Sequence, residues 1–190
     1  MKFGSMKFWL VSAVLVLSAA LGAQGQDLQI RGKIVWNGST IVRTMDGDGS
    51  NQTSLGVSGT TLDWSPDGTK IANGFGNNIY VMNADGSNST ELPTTGSNDN
   101  YPAWSPDGTK IAWETNAGGS NNDVWVMDAA DGGNKVNVTN NSAGHDGYPT
   151  WSPDGTKIGA FVKCCGCGVS VSCMIKPRFS VRHQRILHRR

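Results

Sequence analysis

An all-β repeat architecture follows from three features of the chain. The octapeptide Trp-Ser-Pro-Asp-Gly-Thr-Lys-Ile occurs at Trp64–Ile71, Trp104–Ile111 and Trp151–Ile158, with spacings of 40 and 47 residues. Each copy is followed by a short apolar run, such as Ile111-Ala112-Trp113. A second apolar run downstream leads into an Asp-Gly pair, the short-range signature of a β-hairpin. Self-similarity at this period marks units that bury their apolar faces only against their neighbours.

The elements can be taken in chain order. Lys2 and Lys7 precede an apolar stretch from Phe8 to Leu21, and small residues follow at Gly22, Ala23 and Gly25. Residues 1–26 therefore read as an N-terminal signal helix that is removed on export. The stretch is shorter than the ~20 residues of a membrane span, so no span is expected after cleavage.

Residues 27–162 carry the repeats. In each octapeptide, Pro66, Pro106 or Pro153 takes the second turn position, where its fixed φ suits a type I turn. Asp67, Asp107 or Asp154 follows, and Gly68, Gly108 or Gly155 takes the left-handed position that closes the hairpin. Trp64, Trp104 and Trp151 recur just before these turns, a placement that suits packing between neighbouring sheets better than ligand stacking. The second hairpins fall at Asp48-Gly49-Ser50-Asn51, Asp85-Gly86-Ser87-Asn88 and Asp131-Gly132-Gly133-Asn134. One complete unit thus holds four short antiparallel strands, the content of one propeller blade. Counting gives three strands before Gly56, two full blades, and two strands ending near Val162. That is about thirteen strands, or an incomplete β-propeller of about three four-stranded antiparallel blades.

Residues 163–190 break the pattern. From Cys164 onward there is no acid, against six Lys and Arg, and all four cysteines (Cys164, Cys165, Cys167, Cys173) lie here. Between Asp27 and Lys163 there are 15 acids and 8 bases, a net of −7, which the overall +1 conceals. Three readings compete for this tail. A thiolate metal site is disfavoured because Cys-Cys-Gly-Cys lacks separated Cys-x-x-Cys pairs. A basic tail for anionic partners is disfavoured because its cations are scattered without aromatic residues between them. A disordered or frameshift-derived segment accounts best for loss of pattern in mid-repeat.

In a meander, successive turns alternate between the two ends of the strands. The Ser-Pro-Asp-Gly and Asp-Gly turns should share one end, and the variable loops the other. Functional residues concentrate on such loops. Asp99, Asn100, His145, Asp146 and Tyr148 lie where the chain enters an innermost strand, and are the candidate binding residues. The competing reading is that they are solvated turn formers.

Several chemistries find no support. Asp46-Gly-Asp48-Gly-Ser50-Asn51 has oxygen ligands at alternate positions, but lacks the Gly and Glu that complete a calcium loop. It aligns with the ordinary turn at Asn83–Asn88. The repeats contain one histidine, His145, and no Gly-x-Ser-x-Gly elbow. No glycine-rich phosphate loop or metal-type histidine pair occurs. No catalytic residue, metal or cofactor is assigned.

The Trp-Ser-Pro-Asp-Gly-x-x-Ile-Ala string, followed by Ile79-Tyr-Val-Met-Asn-Ala-Asp-Gly-Ser87, resembles the TolB-type (WD-like) β-propeller repeat. The likeness covers about Lys33 to Val162. It implies a propeller fold, and it is shared by TolB and by the propellers of prolyl-oligopeptidase-like enzymes. TolB carries an α/β domain ahead of a six-bladed propeller, whereas here repeat-like sequence begins almost directly after the signal. The expectation is an exported, periplasmic or secreted, non-enzymatic module that binds a protein, a peptide or an envelope glycan, with no nucleic acid partner. The alternatives are the propeller of an exported prolyl-oligopeptidase-like hydrolase, and a propeller lyase. Open sheet edges would also promote self-association.

Overall fold

The computed structural model of the chain describes residues 33–38, 40–117, 119, 121–140, 144–163 and 170–175. The expected signal helix lies outside the described residues, as do Cys164, Cys165, Cys167 and residues 176–190.

Four antiparallel sheets follow one another along the chain. The first contains β1 (Lys33–Gly38), β2 (Ile41–Asp46) and β3 (Thr53–Ser58). The second contains β4 (Thr61–Trp64), β5 (Lys70–Phe75), β6 (Asn78–Asn83) and β7 (Thr90–Glu91). The third repeats this plan with β8 (Asn100–Trp104), β9 (Lys110–Thr115), β10 (Asp123–Asp128) and β11 (Val136–Asn137). The fourth contains β12 (Asp146–Trp151), β13 (Ile158–Lys163) and β14 (Ser170–Ile175). Every pairing joins consecutive strands, so each sheet is a meander. The first strand β8 packs against β4 on one side and β12 on the other, which places these strands innermost among the sheets.

Two expectations are corrected. The tail does not fall wholly outside the fold, because β14 pairs with β13 from Ile158↔Ile175 to Lys163↔Ser170. Ser170-Val-Ser-Cys-Met-Ile175 has the two-residue alternation of a strand, a signal masked by the cysteines around it. The described strands therefore number fourteen, not thirteen. The third strand also does not stop before Gly56. It runs on to Ser58, with a register shift opposite Ile41–Arg43 that Gly56 accommodates at φ +70°.

The repeated turns form through their own side chains. Ser65 Oγ donates to Asp67 Oδ1 at 2.6 Å and accepts Lys70 N–H at 2.9 Å, while Thr69 N–H donates to Asp67 Oδ1 at 3.0 Å. The same bonds recur at Ser105, Asp107 and Lys110, and at Ser152, Asp154 and Lys157. These bonds hold the Asp67 and Asp107 carboxyls below their usual range, and the Asp154 carboxyl down at about 2. In the Asp-Gly turns, Asn51, Asn88 and Asn134 take left-handed φ of 52°, 52° and 48°. Asparagine tolerates that region better than most residues. The Asp46–Asn51 string is one of these turns, with Asp46 N–H donating to Ser50 O and Asn51 Nδ2 to Asp46 Oδ2. Ala84 N–H donates to Thr69 O and Ala129 N–H to Thr109 O, tying the two turn families together at one end of the strands.

Packing runs between sheets. Trp64 lies with Val35 and Val42 of the preceding sheet, and Trp104 with Ala72, Ile79 and Val81. Trp151 lies against Ala112, Val124 and Val126, and its Nε1–H donates to Ala103 O at 3.1 Å. Each tryptophan thus seals its own sheet onto the one before it. Burial of about 150–250 Å² of aromatic surface at about 25 cal/mol per Å² contributes roughly 4–6 kcal/mol, and less for the partly buried Trp151.

Candidate loop-end aromatic site

The variable loops gather at the other end of the strands. Gly59 and Asp99 precede innermost strands and Asp146 opens one, and their N–H groups donate to the Thr40, Asn77 and Asn122 carbonyls of the preceding sheet. Asp99 and Asp146 are therefore drawn into the seams between sheets, at 0 % and 1 % exposure. Asp99 Oδ1 accepts Trp113 Nε1–H at 3.0 Å. Neither carboxylate is offered to a ligand at the surface. Asn100 is half-buried and donates to Asn98 Oδ1, while His145 is exposed and accepts Asn122 N–H at Nδ1. Tyr148 is 58 % exposed. Of the five candidates, Tyr148 and His145 are presented outward, Asn100 partly, and the two aspartates are inside.

The repeat explains where Tyr148 sits. Tyr101 and Tyr148 occupy the same position, three residues before the repeat tryptophan, and each is followed by proline. Proline has no N–H for the ladder and is accommodated in a strand at a bulge. The register shifts accordingly between Asn100 and Ala103 in β8, and between Gly147 and Thr150 in β12. In β4 the corresponding residues are Thr61-Leu62, and the ladder is regular. The bulges put both tyrosines in the left-handed region, at φ 53° and 52°. For a bulky side chain this costs on the order of 1–3 kcal/mol each, and such conformations concentrate at functional sites.

The rings form a cluster across two sheets. Tyr101 and Tyr148 have centroids 4.2 Å apart at 46°, and Tyr148 meets Phe161 edge-on at 6.4 Å and 78°. Phe161 is 46 % exposed. The hydrogen-bonding Tyr148 side chain, together with burial, pushes the Tyr101 phenol up to about 12. Glu114, 9 % exposed, adjoins this cluster through the backbone of Tyr148. Its Oε1 accepts Asn122 Nδ2–H at 2.5 Å and its Oε2 accepts Tyr148 N–H at 3.3 Å. Burial raises this carboxyl, opposed by the Asn122 and Tyr148 hydrogen bonds and by nearby His145. Asn98 Nδ2–H donates to Asn122 Oδ1, so a polar chain runs from Asn100 through Asn98 and Asn122 to Glu114.

Tyr101, Glu114 and Phe161 were not among the candidates. Aligning the three Trp-Ser-Pro-Asp-Gly copies was enough to find Tyr101. Glu114 and Phe161 sit at equivalent positions of β9 and β13, within runs that read as core strands, and their meeting with the tyrosines is set by tertiary packing. Among the described residues, no group of three or more His, Cys, Asp and Glu side chains gathers as a metal site. No helix among them is long and apolar enough to cross a membrane.

Consecutive three- and four-stranded meanders, packed innermost strand to innermost strand and sealed by repeat tryptophans, define part of a β-propeller. A model of the TolB β-propeller domain matches residues 60–175. The chain belongs to that family. The match begins later than Lys33, where the first sheet lacks a Trp-Ser-Pro-Asp-Gly turn, and it extends past Val162 to include β14.

Solved structures agree on the fold. A putative TolB from Agrobacterium tumefaciens is similar with a TM-score of 0.62 at 20 % identity, over 76 % of this chain and 56 % of that one. TolB from Acinetobacter baumannii gives 0.59 at 20 %, over 74 % and 38 %. A prolyl endopeptidase structure gives 0.53 at 15 %, over 77 % and 27 %. The chain thus spans 56 % or less of the length of these proteins. No curated protein matches the sequence.

Proposed function

We propose that this chain is a non-enzymatic binding module, exported to the periplasm or beyond, which takes a protein or peptide on its loop-end aromatic cluster. One observation carries the reading: Tyr148 and Phe161 are exposed, yet held by bulged strands and the Glu114–Asn122 network rather than by mobile loops. Rigid aromatic side chains supply large contact area at low entropic cost, and dominate binding hot spots. The test is selection of displayed peptides on immobilised protein, repeated with Tyr148→Ala. The reading expects the selected peptides to lose most of their retention on the variant. Equal retention would overturn it. Export is checked by fractionating cells that carry residues 1–26 fused to a reporter.

A second reading makes the chain the propeller portion of a larger hydrolase, and the likeness to a prolyl endopeptidase favours it. Peptidase activity that appears only when neighbouring coding sequence is expressed with the chain would distinguish it. An envelope glycan as ligand, and the lyase reading, would show instead as retention on polysaccharide beads, with unsaturated product for the lyase. Self-association through unpaired strand edges is a further part of the proposal. A single monomer mass by light scattering would exclude it.

A further inference from the structure

The proposed binding reading can be taken one step further, to the chemistry of the ligand. We propose that the Tyr101–Tyr148–Phe161 cluster with Glu114 is a receptor for a cationic side chain, a lysine or arginine presented by a peptide. This inference rests on the binding function argued above, and three independent observations support it.

The first is the aromatic geometry. Tyr101 and Tyr148 meet at 46° rather than stacking flat, and Phe161 stands edge-on to Tyr148 at 78°. Ring faces inclined to one another and partly open to solvent suit a cation, which ring quadrupoles attract within about 6 Å of a centroid. A flat base, or the apolar face of a sugar ring, would be served better by a flat, open platform.

The second is the carboxylate beside the cluster. Glu114 is nearly buried, and its described partners are an amide, a backbone N–H and a nearby imidazole. The described ion pairs with Asp or Glu are Lys33–Asp46 and Lys110–Asp128, both elsewhere. A nearly buried carboxylate without a Lys or Arg partner is costly, and a cation delivered by a ligand would offset that cost. The strain in the Tyr148 backbone has the same sense. It directs the N–H of Tyr148 at Glu114 Oε2, fixing the carboxylate in place.

The third is the field of the molecule. With 15 acids against 8 bases from Asp27 to Lys163, the repeat region attracts cations and repels acidic ligands.

The test uses the full chain and pentapeptides of the form acetyl-Gly-Gly-X-Gly-Gly-amide, with X as Arg, Lys, norleucine or Glu. Binding is read from ring-proton NMR shifts of Tyr148 and Phe161, at about pH 8, well above the ordinary carboxyl range. The Arg and Lys peptides are expected to bind, and to weaken about three- to fivefold on Glu114→Gln and again on raising the salt. Glu114→Gln keeps the size of the side chain and one of its two acceptor oxygens, the one that can stay on Asn122 or on the Tyr148 N–H, so it is a milder change than Tyr148→Ala and guards against failure of that variant to fold.

Norleucine binding as well as Lys, with no effect of Glu114→Gln, would overturn the cation assignment while leaving the binding face intact. Shifts with a chito-oligosaccharide and none with Arg or Lys would overturn it in favour of a glycan. No ring shift with any probe would overturn both the assignment and the binding face on which it rests.

Discussion

Replacing Asp63 with asparagine should flatten the pH dependence of stability. Asp63 lies in β4, where the equivalent residues of β8 and β12 are Ala103 and Thr150. It is 8 % exposed, and its Oδ2 accepts the N–H of Trp104 at 2.7 Å, tying one innermost strand to the next. Its Oδ1 is buried without a described hydrogen-bond partner. Burial pushes the carboxyl from 3.8 to about 7, against the pull of the Trp104 and Trp64 N–H groups. Between these values the folded chain holds a proton that the unfolded chain has released, so stability falls as pH rises. The contribution is fully present below about pH 4 and is lost by the time pH passes about 7. Three units at about 1.4 kcal/mol each give a total of about 4 kcal/mol, of which roughly 2.5 kcal/mol falls between pH 5 and 8.

Asparagine keeps the acceptor for Trp104 and does not titrate. Urea unfolding of both proteins at pH 5 and pH 8 isolates the effect as a difference of differences, because the other titrating groups are common to both. The wild type should lose about 2.5 kcal/mol more than Asp63→Asn across this interval. Parallel pH dependence in the two proteins would refute the argument.

Other perturbations test the seams and turns. Ser105→Ala removes the acceptor for Lys110 N–H and the donor to Asp107, and should lower stability by about 1–3 kcal/mol in a thermal or urea melt. Trp113→Phe keeps an aromatic ring but shortens it, leaving a cavity as well as deleting the donor to fully buried Asp99, and should cost at least about 3 kcal/mol by the same assay. Asp99→Asn in that background should recover part of the loss. Gly132→Ala combines φ +70° with a new Cβ 2.8 Å from Pro93 Cδ, and should destabilise by at least ~1–2 kcal/mol. Placing Ala instead at Gly49, which has left-handed φ but open space, separates the backbone cost from the clash.

The repeat was legible in the sequence because its determinants are local. The Ser-Pro-Asp-Gly turn is made by hydrogen bonds spanning five residues or fewer, and the Asp-Gly turn by a left-handed Gly and Asn pair. Repetition then turns a local preference into an architecture, since each tryptophan must find the same seam. β14 was missed because its alternating pattern is short and lies beyond a cysteine cluster that no repeat explains. The candidate site was half legible. Tyr148 and His145 were reached by following the loops, and Tyr101 was available from the same alignment.

The sequence by itself thus determined the repeat strands before Val162, their turns, the end of the strands where the loops gather, and the family to which the chain belongs. Only the tertiary structure decided which residues of the loop end reach the surface and which are drawn inside. Asp99 and Asp146 look like surface loop residues in the sequence, yet inter-sheet hydrogen bonds through their own backbone draw them into the seams. Tyr101, Glu114, Tyr148 and Phe161 come from four strands of two neighbouring sheets, and no local spacing relates them. Their meeting depends on how one blade leans against the next, a relation between distant segments to which short-range pattern is blind.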